Sequence, residues 1–143
     1  SSTFWTERVG FVAALATLNK MKERDVQAQL IRFGKRINEG WKKLADSYNV
    51  PIVISGIEPL THISFDLPDP LKYQTFYTQE LLKKGFLLGA SVYTTYAYTD
   101  QIIDDFITES EPVFAKIEMA VKQGNIDQLL EGPVIESGFK RLN

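Results

Sequence analysis

The sequence of 143 residues contains no cysteine and a single histidine, His62. Without cysteine there are no disulfide bonds and no thiolate ligands, and one histidine without carboxylates at ligand spacing does not make a metal site. We therefore predict no bound metal. Apolar runs are also short, because none approaches the roughly 20 residues that a membrane-spanning helix requires. With no leader-like segment either, we expect a cytoplasmic protein without a membrane partner.

The chain also lacks a large excess of charge of either sign. Its formal net charge is -2 and its pI is near 5.4, and the lysines and arginines are scattered along the sequence. A nucleic-acid partner is not expected, because it would require a concentrated basic surface. The length and the hydrophobic fraction of 44% suffice for one core. We predict a single domain over residues 1–143, with an irregular tail over residues 132–143.

Helical spacing of apolar residues is clearest in the second quarter of the chain. An apolar stripe at steps of three and four starts after Asp25, a predicted helix cap, and continues to about Tyr48. We assign this stripe to the core: Val26, Leu30, Phe33, Ile37, Trp41 and Leu44. The other predicted helices cover residues 6–22, 71–84, 99–123 with a Thr99 cap and a kink or break at Pro112, and 125–131.

Runs of β-branched and alternating residues predict three strands, over residues 50–56, 61–67 and 86–90. In the second strand Ile63 and Phe65 define an apolar face, and His62 points away from it as a surface histidine. Interleaved with the helices, this order predicts an α+β fold. We expect a small, three-stranded, mainly antiparallel sheet covered on one face by helices.

Small hydroxyl residues precede the first predicted helix, namely Ser1, Ser2, Thr3 and Thr6. Their hydroxyl groups can cap the unpaired backbone N–H groups of the first helical turn. The same groups can instead bind an anion such as a phosphate, because the N-terminal end of a helix carries partial positive charge. The spacing alone leaves both interpretations open.

Three parts of the sequence resemble the C-terminal small domain of class III pyridoxal-phosphate aminotransferases, in particular the glutamate-1-semialdehyde aminomutase-like branch. They are the opening at residues 2–10 with its continuation at 13–18, residues 85–88 followed by 97–104, and the tail at 138–142. Their order and spacing agree with that family, and together they cover nearly the whole chain. The resemblance implies a fragment of a larger enzyme, with a three-stranded sheet backed by helices.

The resemblance also implies roles for individual residues. Thr3 resembles the threonine that, in a homodimer, reaches the phosphate of the partner subunit's cofactor, pyridoxal phosphate. Ser2 stands where a small residue lets its backbone approach that phosphate. Trp5, Tyr93 and Thr95 are candidates for the wall of a substrate channel, with packing or capping as the alternative for Trp5 and strand propensity for the other two.

The sequence departs from the aminomutase pattern between Ser91 and Ala97, where the loop is shorter and lacks the glutamate of that family. It also lacks the arginine with which some class III aminotransferases bind a substrate carboxylate, and Tyr98 stands where related sequences have histidine. The substrate, and the choice between transfer and migration of an amino group, therefore stay open.

Pyridoxal-phosphate chemistry needs a Schiff-base lysine and an acidic partner for the pyridine nitrogen. The resemblance places both in a large domain upstream of this chain, so we predict no catalytic residue here, no tight cofactor binding and no activity of the chain alone. In the full-length parent it would close the active site and contribute phosphate contacts, with a small amino-group donor and acceptor as substrates.

The alternative is a stand-alone α+β interaction or regulatory module without catalytic activity. If the chain is a domain cut from a larger enzyme, we expect an uncovered apolar face near Phe4, Trp5, Val92 and Tyr93, which would drive self-association of the isolated chain.

Overall fold

The computed structural model describes residues 4–136, which form helices packed on one face of an antiparallel sheet. In chain order the elements are α1 (Arg8–Glu23), α2 (Val26–Tyr48), β1 (Ile52–Ile57), β2 (Leu60–Phe65), α3 (Pro70–Lys83), β3 (Ser91–Tyr93) and α4 (Asp100–Gln123), followed by a 3-10 turn (Ile126–Leu129). The predicted α+β fold is confirmed. Residues 132–136 have no regular secondary structure. No helix in the range 4–136 combines the length and apolar character needed to cross a membrane.

The sheet has β2 at its centre, with β1 and β3 paired antiparallel on either side. Ile63 and Phe65 of β2 are buried against the helices, whereas Ser64 between them is exposed. This alternation follows from the pleat, which points successive side chains to opposite faces. On the outer face the register places His62 beside Ser91, so that polar groups occupy the middle of this face.

Helices α2, α3 and α4 enclose an aromatic core. The predicted stripe on α2 is confirmed from Phe33 onward, because Phe33 and Ile37 are each 1% exposed and Trp41 is fully buried. Val26 and Leu30, at its start, are only half-buried. Tyr77 of α3 and Phe114 of α4 lie edge to face, with ring centres 5.7 Å apart. Burial of these large side chains is the main favourable contribution to folding, at about 25 cal/mol per Å² of apolar surface.

Helix α2 approaches the turn between β1 and β2 so closely that only glycine fits at position 34. A Cβ atom on Gly34 would lie 1.8 Å from the backbone oxygen of Glu58, well inside the 3.0 Å that real Cβ contacts respect. The missing side chain therefore lets the turn pack directly on the helix backbone.

The helix ends agree with the predictions to different degrees. Thr99 caps α4 as predicted, since its hydroxyl accepts a hydrogen bond from the N–H of Ile102 at 3.3 Å. Asp25 occupies the cap position of α2, but its backbone is left-handed (φ 47°) and its side chain makes no capping bond within residues 4–136. Helix α4 continues through Pro112, so the predicted break is wrong there.

The third strand lies later in the chain than predicted. Residues 86–90 are irregular, and β3 begins at Ser91. The carbonyl of the preceding residue, Ala90, accepts a hydrogen bond from the N–H of Ile63 on β2 at 3.0 Å. In the irregular segment Leu88 is buried while Leu87 is 91% exposed. The apolar run is therefore a loop that packs on the core, which a sequence pattern does not separate from a strand.

Helix α1 forms close to its predicted range but buries none of its residues. Met21 near its end is half-buried, and five of its large apolar side chains are more than half exposed: Val9, Phe11, Val12, Leu15 and Leu18. Of the predicted uncovered face, Phe4, Trp5 and Tyr93 are exposed, but Val92 is buried. Val92 is paired with the buried Thr61 and shares its inward direction, so its assignment to the exposed face was wrong.

Candidate functional site

Ser2 and Thr3, the two predicted phosphate contacts, lie outside the described residues. The described chain enters α1 through Glu7, which holds the N-cap position and makes no side-chain capping bond within residues 4–136. Side chains of the described residues therefore leave the N–H groups of the first turn without a cap, which is a condition for anion binding at a helix N-terminus. The carboxylate of Glu7 opposes such binding by adding negative charge next to it.

The three candidates for a substrate channel are all exposed. Trp5, before α1, is 74% exposed, and Tyr93, at the end of β3, is 66% exposed. Thr95 is exposed in the segment that follows β3. Tyr93 borders a cavity that Trp5 and Thr95 do not line, so the structure does not bring all three to one pocket.

The segment at residues 93–96, which we call the rim, carries two of these candidates. Its second residue, Thr94, is 8% exposed. The N–H of Thr94 donates to the carbonyl of Pro59 at 3.0 Å, and its hydroxyl lies 3.2 Å from the carbonyl of Leu30 and 3.3 Å from that of Pro59. The rim is therefore attached both to α2 and to the turn between β1 and β2.

Two further hydrogen bonds hold the end of the rim. The side-chain amide of Gln29 donates to the carbonyl of Tyr96 at 3.3 Å. The N–H of Tyr98 donates to the carbonyl of Thr95 at 3.2 Å, which closes a turn that leads into α4. These bonds add a second attachment to α2.

A cavity of about 320 Å³ opens beside the rim. Ser91, Tyr93 and Tyr98 are among the residues that line its wall, and the other lining residues are apolar or glycine. Residues of α2, β3, α4 and the segment before β3 contribute this wall, including Ile37, Phe86, Leu88, Val92, Ile103 and Phe106. A pocket of this size and polarity suits an apolar group of a small molecule.

His62 points away from the apolar face of β2, as the sequence predicts, and it has a hydrogen-bond partner on that outer face. It is half-buried, and its Nδ1 lies 2.6 Å from the hydroxyl oxygen of Ser91 on the neighbouring strand. Gly56 leaves room for the ring, because a Cβ atom at that position would lie 2.8 Å from it. Within residues 4–136 no carboxylate is hydrogen-bonded to His62, so the pair lacks the third member of a hydrolytic triad. It joins β2 to β3.

Opposite charges join α2 to the start of α4, just after the rim. Arg32 bonds Asp100 at 2.6 Å, and Arg36 bonds both Asp100 and Asp104. The hydrogen bond from Arg32 lowers the pKa of Asp100, and the same bond raises the pKa of Arg32. Both guanidinium groups are occupied by carboxylates of their own chain and are not free to bind a substrate carboxylate.

No lysine within residues 4–136 has the surroundings of a Schiff-base lysine. All of them are exposed except Lys72, which is half-buried. Hydrogen bonds to Asp127 and Asp69 raise the pKa of Lys72, whereas a Schiff-base amine must lose its proton. The described residues therefore do not fit covalent attachment of pyridoxal phosphate, and non-covalent contacts are the role they leave. The same residues contain no group of three potential metal ligands.

Sequence reasoning missed Thr94. Tyrosines and threonines fill positions 93 to 96, and residue type does not separate the buried Thr94 from its exposed neighbour Thr95. The one available signal is that Val92 and Thr94 continue the same side of a strand, which predicts that both point inward. Its partners, Leu30 and Pro59, are far away in sequence.

No protein-family model matches the chain. Two curated proteins are similar to it in sequence. The 2'-deamino-2'-hydroxyneamine transaminase of Streptomyces kanamyceticus is 28% identical over 110 residues, which cover 73% of this chain and 28% of that protein. The glutamate-1-semialdehyde 2,1-aminomutase of Persephonella marina is 22% identical over 123 residues, which cover 76% of this chain and 29% of that protein. The chain thus spans less than a third of the length of these relatives.

The fold is similar to the solved structure of the PLP internal aldimine form of the FumI protein of Sphingopyxis sp. MTA144. The TM-score is 0.73 at 18% sequence identity, and the likeness covers 91% of this chain and 32% of that chain. At this identity the likeness shows the fold alone. The sequence and fold comparisons agree in kind: the chain is similar to part of a transaminase, to part of an aminomutase and, in fold, to part of a PLP-containing protein.

Proposed function

We propose that this chain is the C-terminal small domain of a pyridoxal-phosphate-dependent aminotransferase or aminomutase, where it closes one side of the active site. The observation that carries the proposal is the agreement of two comparisons. The sequence is similar to a transaminase and to an aminomutase, and the fold is similar to that of a PLP-containing protein. Each likeness covers most of this chain and less than a third of the other protein.

The bare surface of α1 supports a place within a larger protein. Phe11, Leu15 and Leu18 form one apolar stripe, and Val9 and Val12 extend it around the helix. A helix that is apolar over so much of its circumference is normally enclosed, yet none of its residues is buried by residues 4–136. The occupant in this proposal is the remainder of the longer protein, because more than two thirds of each relative lies outside the matched part.

In this proposal Ser2 and Thr3 contact the phosphate of the cofactor bound by the partner subunit of a homodimer. The support is the start of α1, where the described side chains provide no cap. Free N–H groups and hydroxyl donors are the groups that a phosphate dianion prefers. Pyridoxal phosphate supplies the electron sink when it is bound, and this chain holds its anionic end and shields it from water.

The first test uses the longer protein that carries this chain, purified with pyridoxal phosphate. We expect the visible absorbance band of lysine-bound cofactor, and Thr3→Val should raise the cofactor's dissociation constant by roughly tenfold, since a hydrogen bond to a charged group is lost. Thr17→Val is the control, because the Thr17 hydroxyl bonds the carbonyl of Ala13 on α1 at 2.9 Å. No band in the longer protein, or equal effects of the two substitutions, would contradict the proposal.

The second test uses the chain of 143 residues alone. With pyridoxal phosphate it should show no lysine-bound band, because the described lysines are exposed or, at Lys72, hydrogen-bonded to a carboxylate, and none lies in a desolvated site that would activate its amine. A stoichiometric band that disappears on substitution of one lysine would show that the chain carries its own covalent site.

A further inference from the structure

We propose that Thr94 is a positioning residue that fixes the rim and thereby sets which substrates pass it, an inference that rests on the function proposed above. Thr94 is buried and is not expected to touch the substrate. It acts through the exposed residues on either side of it, Tyr93 and Thr95. The inference adds a selectivity role to a side chain that points into the protein.

The first argument is the number of segments that meet at Thr94. Its hydroxyl proton is shared between the carbonyls of Leu30 on α2 and Pro59 in the turn, at 3.2 and 3.3 Å, and its N–H donates to Pro59 at 3.0 Å. The turn is itself fixed, because it packs against the backbone of α2 at Gly34. A movement of the rim would therefore break hydrogen bonds to two elements at once.

The second argument is the direction of the neighbouring side chains. In an extended segment successive residues point to opposite sides, so burying Thr94 turns Tyr93 and Thr95 outward. Tyr93 is accordingly 66% exposed and borders the cavity beside the rim. The position of the Tyr93 ring relative to that cavity depends on the anchor behind it.

The third argument is that an independent bond holds the end of the rim. Gln29, one residue before Leu30 on α2, donates to the carbonyl of Tyr96 at 3.3 Å. Successive residues of α2 therefore bind the second and the last residue of this four-residue segment. A group of fixed shape discriminates by size, whereas a mobile one yields to bulky molecules.

The test compares the rates at which a small and a bulky reagent reach the cofactor in the longer protein loaded with pyridoxal phosphate. O-methylhydroxylamine and O-benzylhydroxylamine both attack the cofactor carbon that is bound to lysine. The reagent nitrogen becomes doubly bonded to that carbon, its two protons pass to the departing lysine nitrogen, and an oxime and a free lysine amine result. Loss of the visible band gives both rate constants, and their ratio reports passage of the bulky group.

Thr94→Val should raise the ratio of benzyl to methyl rate constants by about fivefold or more, because the rim loosens. Thr94→Ser, which keeps the hydroxyl, should stay within about twofold of the original protein. The matched control is Thr75→Val, since Thr75 is similarly buried at 9% and its hydroxyl donates to the carbonyl of Leu71 and accepts from Ile135 instead. An unchanged ratio in Thr94→Val, or an equal change in Thr75→Val, overturns the inference.

Two further measurements cover other failures. If Thr94→Val does not fold, Tyr93→Ala, at an exposed position, must raise the same ratio, and an unchanged ratio overturns the inference. If the longer protein shows no lysine-bound band, the proposed function fails instead. The anchor is then measured on the chain alone by hydrogen exchange, where Thr94→Val should speed exchange of the Tyr98 amide by about tenfold. Unchanged exchange of that amide would show that Thr94 does not hold the rim.

Discussion

Replacement of Tyr77 by phenylalanine tests the buried chain of hydrogen bonds that joins α2, α3 and α4. Trp41, Tyr77 and Ser110 are all fully buried. The indole nitrogen of Trp41 and the hydroxyl of Ser110 each lie 2.9 Å from the hydroxyl of Tyr77. Ser110 gives its own proton to the carbonyl of Phe106 at 2.8 Å. Because indole N–H only donates, Tyr77 must accept from Trp41 and donate to Ser110.

The substitution removes one oxygen atom and leaves the ring packing in place. The N–H of Trp41 then has no acceptor, and an unsatisfied buried donor costs about 1–3 kcal/mol. Ser110 loses an incoming hydrogen bond but keeps its bond to Phe106. Burial raises the pKa of Tyr77 despite the opposing hydrogen bonds with Ser110 and Trp41, so the tyrosine is neutral in neutral solution. We expect a net loss of about 2 kcal/mol, or roughly 6 °C in the unfolding midpoint.

The assay is urea unfolding in a Trp5→Phe background, in which the fluorescence comes from Trp41 alone. Tyr48→Phe is the matched control, because the hydroxyl of Tyr48 contacts Glu111 at the surface, at 3.1 Å. The control should change the free energy of unfolding by less than about 0.5 kcal/mol. A Tyr77→Phe loss no larger than that of the control would refute the assignment of a buried, satisfied network.

Three other outcomes are expected. Gly34→Ala should lower the free energy of unfolding in urea by about 1–3 kcal/mol, because its Cβ atom meets the carbonyl of the β1–β2 turn. Gly10→Ala, where nothing lies within 4 Å of the new Cβ atom, should raise that free energy by up to about 1 kcal/mol. Equal effects of the two substitutions would contradict the close approach at Gly34. Burial favours the neutral form of Glu80, but hydrogen bonds from Lys116 and Lys83 outweigh this effect and lower its pKa from 4.5 to about 2. The ionised Glu80 therefore stabilises the fold fully at pH values above its pKa in the unfolded chain. This stabilisation is lost as the pH falls through its pKa in the folded chain. Near pH 3 the free energy of unfolding should be about 2 kcal/mol lower than at pH 7 because of Glu80, and Glu80→Gln should lack this part of the loss. Equal urea midpoints of the original chain at pH 7 and near pH 3 would contradict this prediction. Sedimentation should show concentration-dependent self-association that Leu15→Glu with Leu18→Glu abolishes, and a monomeric parent chain at high concentration would contradict this.

The confirmed predictions rest on residues close in sequence, although Asp25 makes no capping bond within residues 4–136 and α4 continues through Pro112. The α2 stripe is confirmed because side chains three and four apart share one side of a helix wherever that helix packs. The cap at Thr99 is confirmed because the donor, the N–H of Ile102, is only three residues away. The order of elements followed from such local signals, and short connections then left few ways to pair the strands.

Predictions failed where the deciding contact is distant in sequence. The apolar run at residues 86–90 looks like a strand, but strand pairing begins only where His62 meets Ser91. The role of Thr94 depends in the same way on Leu30 and Pro59, which no local pattern connects to it. The outward direction of His62 was predicted correctly, but its hydrogen-bond partner Ser91, 29 positions away, was not foreseen. In each case the local residue types indicate a kind of structure, but they do not reveal the distant residue that makes the deciding contact.

Helix α1 shows a third kind of outcome: the predicted helix forms, but residues 4–136 do not bury its apolar side chains. Its spacing predicts a helix with an apolar face, and the helix forms, yet residues 4–136 bury none of it. Periodicity reports that a face requires cover, and it carries no information about which chain supplies that cover. Under the function proposed above, this mismatch between apolar pattern and burial is where we expect α1 to contact the rest of the longer protein. The uncovered apolar surface therefore does not include Val92, which is buried, and instead includes α1. In the proposed function, α1 is the helix whose contact with the rest of the longer protein should be tested first.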